Sequence, residues 1–246
     1  MTEGITEAAI LAAIGFVGAL IFGISGFGAA LVTIPLATHL VPLKTALALF
    51  VLADLACALS VGLENPRNAV RAEWTRLVPM ILVGTALGVT LLVNLPRAAG
   101  MLLLGLFVLW FGIFNLTKRS FNRIVSYRWA WLAGFAGGIT STVFGAGGPP
   151  YAIYLSQRGL TKEQFRATLG LATLTSISLR LAAFLLTGLL LDPDVWLKAL
   201  AVVPACLAAI WVARRIFVRI SREALMRVVS ALLIASGASL ISRAAL

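Results

Sequence analysis

Apolar runs recur from one end of this chain to the other, and each is close to the length of about 20 residues that carries a helix through roughly 30 Å of hydrocarbon. No other feature restricts the fold as strongly. Backbone surrounded by lipid must satisfy its own hydrogen bonds, so only helices or a closed barrel can span, and long runs without apolar/polar alternation suit helices. Composition agrees, with 61% of 246 residues hydrophobic and 12% charged, against about 25% charged in a soluble domain. The polar connections at 64–73 and 117–128 are far too short for a soluble catalytic domain, which needs about 50 residues or more. The expected fold class is an all-α polytopic integral membrane protein, with 1–246 as one membrane-embedded domain.

The net charge of +11 would suggest nucleic acid in a soluble chain, but the cations sit in a few connections. Lys118, Arg119, Arg123 and Arg128 share one, Arg158, Lys162 and Arg166 another, and Arg214, Arg215, Arg219 and Arg222 a third. That placement is the positive-inside bias of a membrane protein, and no nucleic-acid partner is expected. Cys57 and Cys206 each lie in an apolar segment without a paired cysteine or nearby histidine, so neither a metal site nor a disulfide framework is indicated. No cofactor is implied. The start carries Glu3 and Glu7 and no cation, unlike a cleavable signal peptide, so the first helix is expected to be retained.

Candidate segments run over 5–24, 29–40, 43–62, 74–95, 98–116, 129–144, 150–157, 165–189, 195–213 and 224–241. Two of them, 29–40 and 150–157, are short, and each follows a glycine-rich break. The halves repeat: a spacing of 119 pairs Gly15 with Gly134, Phe16 with Phe135, Gly18 with Gly137, Gly26 with Gly145 and Gly28 with Gly147. Further on, a spacing of 125 pairs Pro79 with Pro204, Arg97 with Arg222, Met101 with Met226 and Gly112 with Gly237. We read a first repeat over 5–116 and a second over 129–243. Five segments per repeat is an odd number, so the second repeat is inverted. Placing both termini outside puts every basic connection inside and the Asp192–Asp194 turn outside, as the charge rule requires.

Inverted repeats with interrupted helices are the architecture of secondary transporters, whose substrates bind at the interruptions. The first break reads Gly23-Ile24-Ser25-Gly26-Phe27-Gly28-Ala29-Ala30, and the second Phe144-Gly145-Ala146-Gly147-Gly148-Pro149-Pro150. Irregular backbone at this depth must line a cavity or be buried in protein. Pro149 and Pro150 suit the first turn of a new helix, whose free N–H groups and positive dipole end outline an anion site. Gly26, Gly28, Ala29, Gly145, Gly147, Gly148 and Pro149 are therefore the expected backbone of a substrate site, and a small anion the expected partner.

These motifs, over nearly the whole chain, resemble the sulfite exporter TauE/SafE family of membrane proteins. The resemblance rests on Gly26-Phe27-Gly28 leading to Pro35 and on Gly145-Ala146-Gly147-Gly148-Pro149-Pro150. Ala29 and Ala30 stand where the family usually continues with glycine. The resemblance implies transport of small anions such as sulfite, organosulfonates or related organic acids, often as export, across a bacterial-type inner membrane by alternating access.

Charges within the segments are costly and usually functional. Arg180 offers a planar fork of donors to an oxyanion, or it reaches the outer interface, roughly 12 Å away along the helix. Asp54 is the candidate site for a coupling H+ or Na+, or a structural partner of Arg180. Thr140, Ser141 and Thr142 precede the second break, while Thr168, Thr173, Thr175, Ser176 and Ser178 follow it. Thr168, Thr175 and Ser178 share one helical face, and Thr175 is taken as a substrate contact. Tyr151 and Tyr154 either reach the cavity or pack. Gly84, Gly88, Gly134 and Gly138 read as helix-packing residues, and Trp74, Trp129 and Trp196 as interface anchors.

Two other readings compete. A passive anion channel shares most of these features. Gly23-Ile24-Ser25-Gly26 also matches the motif around the nucleophile of intramembrane serine proteases, but the one histidine, His39, lies at the far end of the next segment, and a serine nucleophile needs a base beside it. No enzymatic activity is expected. Association with further copies of the chain is compatible with everything above.

Overall fold

The computed structural model describes residues 2–26, 28–117, 124–216 and 222–244. Phe27, Lys118, Arg119, Arg123 and Arg219, named above for the first break and the basic connections, lie outside them. All ten expected segments are helices: α1 (Thr2–Ser25), α2 (Ala29–Ala37), α3 (Leu43–Gly62), α4 (Arg71–Asn94), α5 (Arg97–Thr117), α6 (Trp129–Phe144), α7 (Gly148–Ser156), α8 (Lys162–Leu186), α9 (Pro193–Ile216) and α10 (Arg222–Ala244). The described residues contain no strand. Five helices are long and apolar enough to cross a bilayer, within α1, α3, α4, α8 and α9.

Boundaries depart from the hydropathy reading where polar chemistry sets them. Helix α8 begins three residues early because Thr161 and Gln164 form a reciprocal cap: Gln164 N–H donates to Thr161 Oγ1 at 3.2 Å and Thr161 N–H to Gln164 Oε1 at 3.1 Å. A capped helix propagates through polar residues without apolar ones. It ends before Gly188, which adopts φ 77°. Helix α2 stops at Ala37, short of the expected end, and Thr38 donates its hydroxyl to Pro35 O at 2.7 Å. Pro42 then forces Val41 out of helical backbone and caps α3.

Three helix pairs form the body: α1 with α9, α4 with α6, and α5 with α10. Glycines let their axes approach. Gly15 faces Val202 and Cys206 while Gly23 faces Ile210 and Ala213, so α1 and α9 run parallel. Gly134 faces Leu77 and Ile81 while Gly88 faces Thr142, so α4 and α6 also run parallel. Gly105 faces Gly237 and Ile241 while Gly112 faces Ser230, so α5 and α10 run antiparallel. The first two pairs match residue for residue, since the spacings read from the sequence carry Gly15 to Gly134, Leu77 to Val202 and Ile81 to Cys206. Helices α3 and α8 fill the centre and cross where Gly62 meets Gly170; residues 46–51 of α3 are buried on all sides.

The short helices turn back. Thr33 of α2 lies against Gly18 of α1, and the Tyr151 ring of α7 lies against Gly137 of α6. Each break is therefore a reversal at the end of a long helix. The two ends of the bundle differ in charge. At one end Glu64 pairs with Arg166 at 3.4 Å and Arg214 at 3.0 Å, and Glu73 with Arg158 at 2.9 Å. At the opposite end, where α1 and α9 begin, Lys198 pairs with Glu7 at 2.8 Å and Asp194 at 2.6 Å.

Candidate functional site

Both glycine breaks border one small cavity at the centre of the bundle. It is lined by Phe22 of α1, Gly28 to Ala30, Asp54 of α3, Ser141 of α6, Gly145 to Gly148, Tyr151 of α7, and Thr173, Ser176 and Ile177 of α8. Its volume is ≈ 20 Å³, room for about one water molecule. Two helix starts point at it. Gly28 caps α2 with φ 97°, a left-handed conformation that glycine adopts without strain. Gly145, at φ 74°, is doubly constrained: a Cβ there would lie 2.8 Å from Ala30 Cβ and 3.1 Å from Arg180 Nη1.

The two starts are unequal donors. The first turn of a helix has no internal acceptors for its N–H groups, but Pro149 and Pro150 carry no N–H. Over its first three positions helix α7 is left with Gly148 alone, whereas α2 opens on Ala29, Ala30 and Leu31, all with free N–H capacity. The alanine pair that departs from the family pattern thus begins the donor-rich end. Each helix end also contributes about half a positive charge.

Behind this frame sits Arg180, 1% exposed. Its Nη2 donates to Asp54 Oδ2 at 2.7 Å and its Nη1 to Ser141 O at 2.9 Å. Its Nε is buried without an acceptor, as is the hydroxyl of Thr173 on the cavity wall. The Tyr151 hydroxyl donates to Ser176 Oγ at 3.0 Å, which holds the α7 start against α8.

The sulfite exporter TauE/SafE family matches residues 11–240. The chain belongs to that family. A curated protein of Comamonas testosteroni, described as "Probable inner membrane transporter protein TsaS", is 25% identical over 193 residues, covering 78% of this chain and 81% of that one. No solved structure matches the chain. It is a membrane transporter of the TauE/SafE family, with a small-molecule substrate and a lipid bilayer as its partners.

In this TauE/SafE transporter, Gly28, Ala29, Gly145, Gly147, Gly148 and Asp54 line the cavity, and Arg180 stands directly behind Asp54. Gly26, at φ 82°, and Pro149 support the breaks without lining it. Thr175 is turned elsewhere: its hydroxyl accepts from Trp74 Nε1 at 3.0 Å and donates to Leu171 O at 2.8 Å. Thr168 on the same face accepts from Val70 N–H at 2.9 Å. That face packs on α4, and the cavity takes the neighbouring one, bearing Thr173, Ser176 and Ile177. Trp74 is accordingly half-buried, while Trp129 and Trp196 are exposed on the bundle surface. His39 is exposed beyond the far end of α2, ten residues from Ala29, or about 15 Å by helical rise.

Sequence reasoning missed a buried acid. Glu73 accepts from Tyr154 Oη, from Arg158 Nε at 3.0 Å and Nη2 at 2.9 Å, and from Arg76 Nη1 at 3.1 Å. Arg158 also donates to Val125 O at 2.5 Å, and Glu73 raises its already high pKa. This knot ties the far end of α7 to α4 and to the connection before α6. The spacing of 125 read from the sequence sets Glu73 opposite Lys198, the centre of the acidic-end cluster, and that coincidence of two charges is the signal that could have found it.

Proposed function

We propose that this transporter exports a small oxyanion, sulfite, an organosulfonate or a related organic acid, across the inner membrane by alternating access through the central cavity. The observation that carries the reading is the meeting of two interrupted-helix starts beside a buried arginine. Positive helix ends, free N–H groups and a guanidinium are the donors that recognise a compact anion in a low-dielectric site. Ser141, Thr173, Ser176 and Tyr151 add hydroxyls, and Asp54 is the coupling position for H+ or Na+. The narrowness of the cavity favours a carrier over an open pore.

Helix packing supports two inverted repeats. Shifting every element by five exchanges the α1–α9 pair with the α4–α6 pair and maps α5–α10 onto itself. Because α4 and α5 are joined by a tight turn, and α5 opposes α10, the parallel pairs point in opposite directions. With the basic end inside, both termini fall outside: α1 begins at the acidic end, and α10 ends beside the start of α5. Rocking of the two halves would then open the cavity alternately to each side.

The test is the thermal stability of the purified protein in detergent against sulfite, sulfate, sulfoacetate, taurine and simple carboxylates. A ligand at 100 times its dissociation constant adds about 2.7 kcal/mol. Selective stabilisation by sulfonate-type or carboxylate anions, abolished in Arg180→Gln, is the expected result. A protein unresponsive to every anion refutes the reading.

A further inference from the structure

Asp54 lines the cavity, and Arg180 does not. The carboxylate joins the guanidinium to the cavity wall, and it makes an incomplete partner. Only Asp54 Oδ2 is engaged, on Nη2, and Nε on the same edge of the guanidinium is buried with no acceptor. That edge presents two parallel N–H donors, the geometry a carboxylate or sulfonate fills with two oxygens. Two turns earlier on the same helix, the hydroxyl of Thr173 on the cavity wall, in a residue 7% exposed, also lacks a partner. Thr33 and Thr85 also have unpartnered buried hydroxyls, each in a helix contact away from the cavity. What distinguishes Arg180 Nε and Thr173 Oγ1 is that both fall at one site beside a cavity and a second charged group, where a ligand could serve them.

We infer that Asp54 occupies the place of the substrate on Arg180, and that an oxyanion with two or more equivalent oxygens displaces it only as Asp54 takes up a proton, so that one proton and one anion are carried together. This rests on the anion-carrier reading above and adds the coupling ion, the stoichiometry and the atoms involved. The charge balance explains why the exchange suits a membrane interior. With the site empty, Arg180 and ionised Asp54 sum to zero. With it loaded, Arg180 and a monoanion sum to zero and Asp54 is neutral. An anion beside an ionised Asp54 would leave one uncompensated negative charge in hydrocarbon, which is costly. Both states that must reorient are neutral, so the proton and anion gradients together set the direction of net flux, and the membrane potential does not.

Few other groups can contribute to such a titration. Those facing the pair are the free thiol of Cys57, on the same helix, with that of Cys206 of α9 beside it, and Tyr151 of α7 beside Arg180. Helix α2 holds no titratable residue, α1 none after Glu7, and α5 none after Arg97. A sodium ion is a poor substitute, since among the described residues the charged oxygen ligands at the cavity are those of one carboxylate already bound to Arg180.

The experiment is calorimetric binding of methanesulfonate, whose charge is constant from pH 5 to 8, to the purified protein in buffers of different ionisation enthalpy. The expected wild-type result is uptake of one proton per anion and affinity falling up to tenfold per pH unit as pH rises. Asp54→Asn is expected to bind at the wild-type low-pH affinity throughout, with no proton uptake. In liposomes, flux should follow a pH gradient and ignore an imposed potential. Binding by the wild type without proton uptake, or uptake of sodium in its place, overturns this inference and leaves the anion carrier standing. The wild-type measurement decides the matter even if Asp54→Asn does not fold. Absence of binding by sulfonate, sulfite and carboxylate at every pH overturns both.

Discussion

Replacing Gly145 with alanine tests whether the two breaks meet as closely as described. Two penalties combine there. A left-handed φ of 74° costs an L-residue roughly 1–2 kcal/mol. The new methyl would also lie 2.8 Å from Ala30 Cβ and 3.1 Å from Arg180 Nη1, and overpacking of that kind costs about 1–3 kcal/mol. The sum is about 2–5 kcal/mol. Gly26 provides the control, since its φ is 82° but nothing lies within 4 Å of its added Cβ, so Gly26→Ala carries the conformational penalty alone. Thermal denaturation in detergent should place Gly145→Ala below Gly26→Ala by about 1–3 kcal/mol, with roughly 2–4 °C per kcal/mol at this chain length. Ala30→Gly in the Gly145→Ala background removes the shorter contact and should recover part of the gap, less up to about 1 kcal/mol for glycine in a helix. The displaced guanidinium should also blunt stabilisation by anions in Gly145→Ala and spare it in Gly26→Ala. Equal losses in the two variants, with equal anion responses, would refute the close approach of α2, the second break and Arg180.

Thr173→Val separates a ligand contact from a packing residue: removing a buried hydroxyl that has no partner should raise stability without anion by about 1 kcal/mol and weaken anion-dependent stabilisation, whereas loss of stability without ligand would show a hidden partner. Glu73→Gln leaves the Arg158 guanidinium and Tyr154 hydroxyl without their anionic acceptor and should destabilise by about 3 kcal/mol, the low end for a buried pair because Arg158 is partly exposed. Tyr154→Phe should cost only about 1 kcal/mol, and denaturation of the two variants side by side checks the ranking. Ser25→Ala should transport at close to the wild-type rate; complete loss of activity with normal folding would return the serine hydrolase reading to contention.

Much of this protein is written in short-range features. The length of each apolar run determined the number and rough extent of the helices, because spanning hydrocarbon is a matter of consecutive residues and helical rise. The glycine breaks were equally legible, since positive φ and a restart at proline are local requirements, and their recurrence at a spacing of 119, followed by one of 125, is the sequence ground for the proposed correspondence of α1 with α6 and α4 with α9. Polar caps were harder to see: Thr161 and Gln164 extend α8 beyond its apolar stretch, which hydropathy does not register.

The site was legible as a set of residues and illegible as a set of contacts. Asp54 and Arg180 stand 126 positions apart in the chain, and only the crossing of α3 and α8 decides that they meet and that the carboxylate covers the guanidinium. Periodicity could group Thr168 with Thr175, yet which face of α8 looks at α4 and which at the cavity depends on how neighbouring helices rotate against it. The donor balance between the breaks likewise emerged only when both helix starts were seen to share one cavity, where the missing N–H groups of Pro149 and Pro150 leave the first turn of α2 as the richer source. Local pattern decides what a segment becomes, while the rotation and crossing of packed helices decide which of its side chains share a space, because that depends on partners far away in sequence.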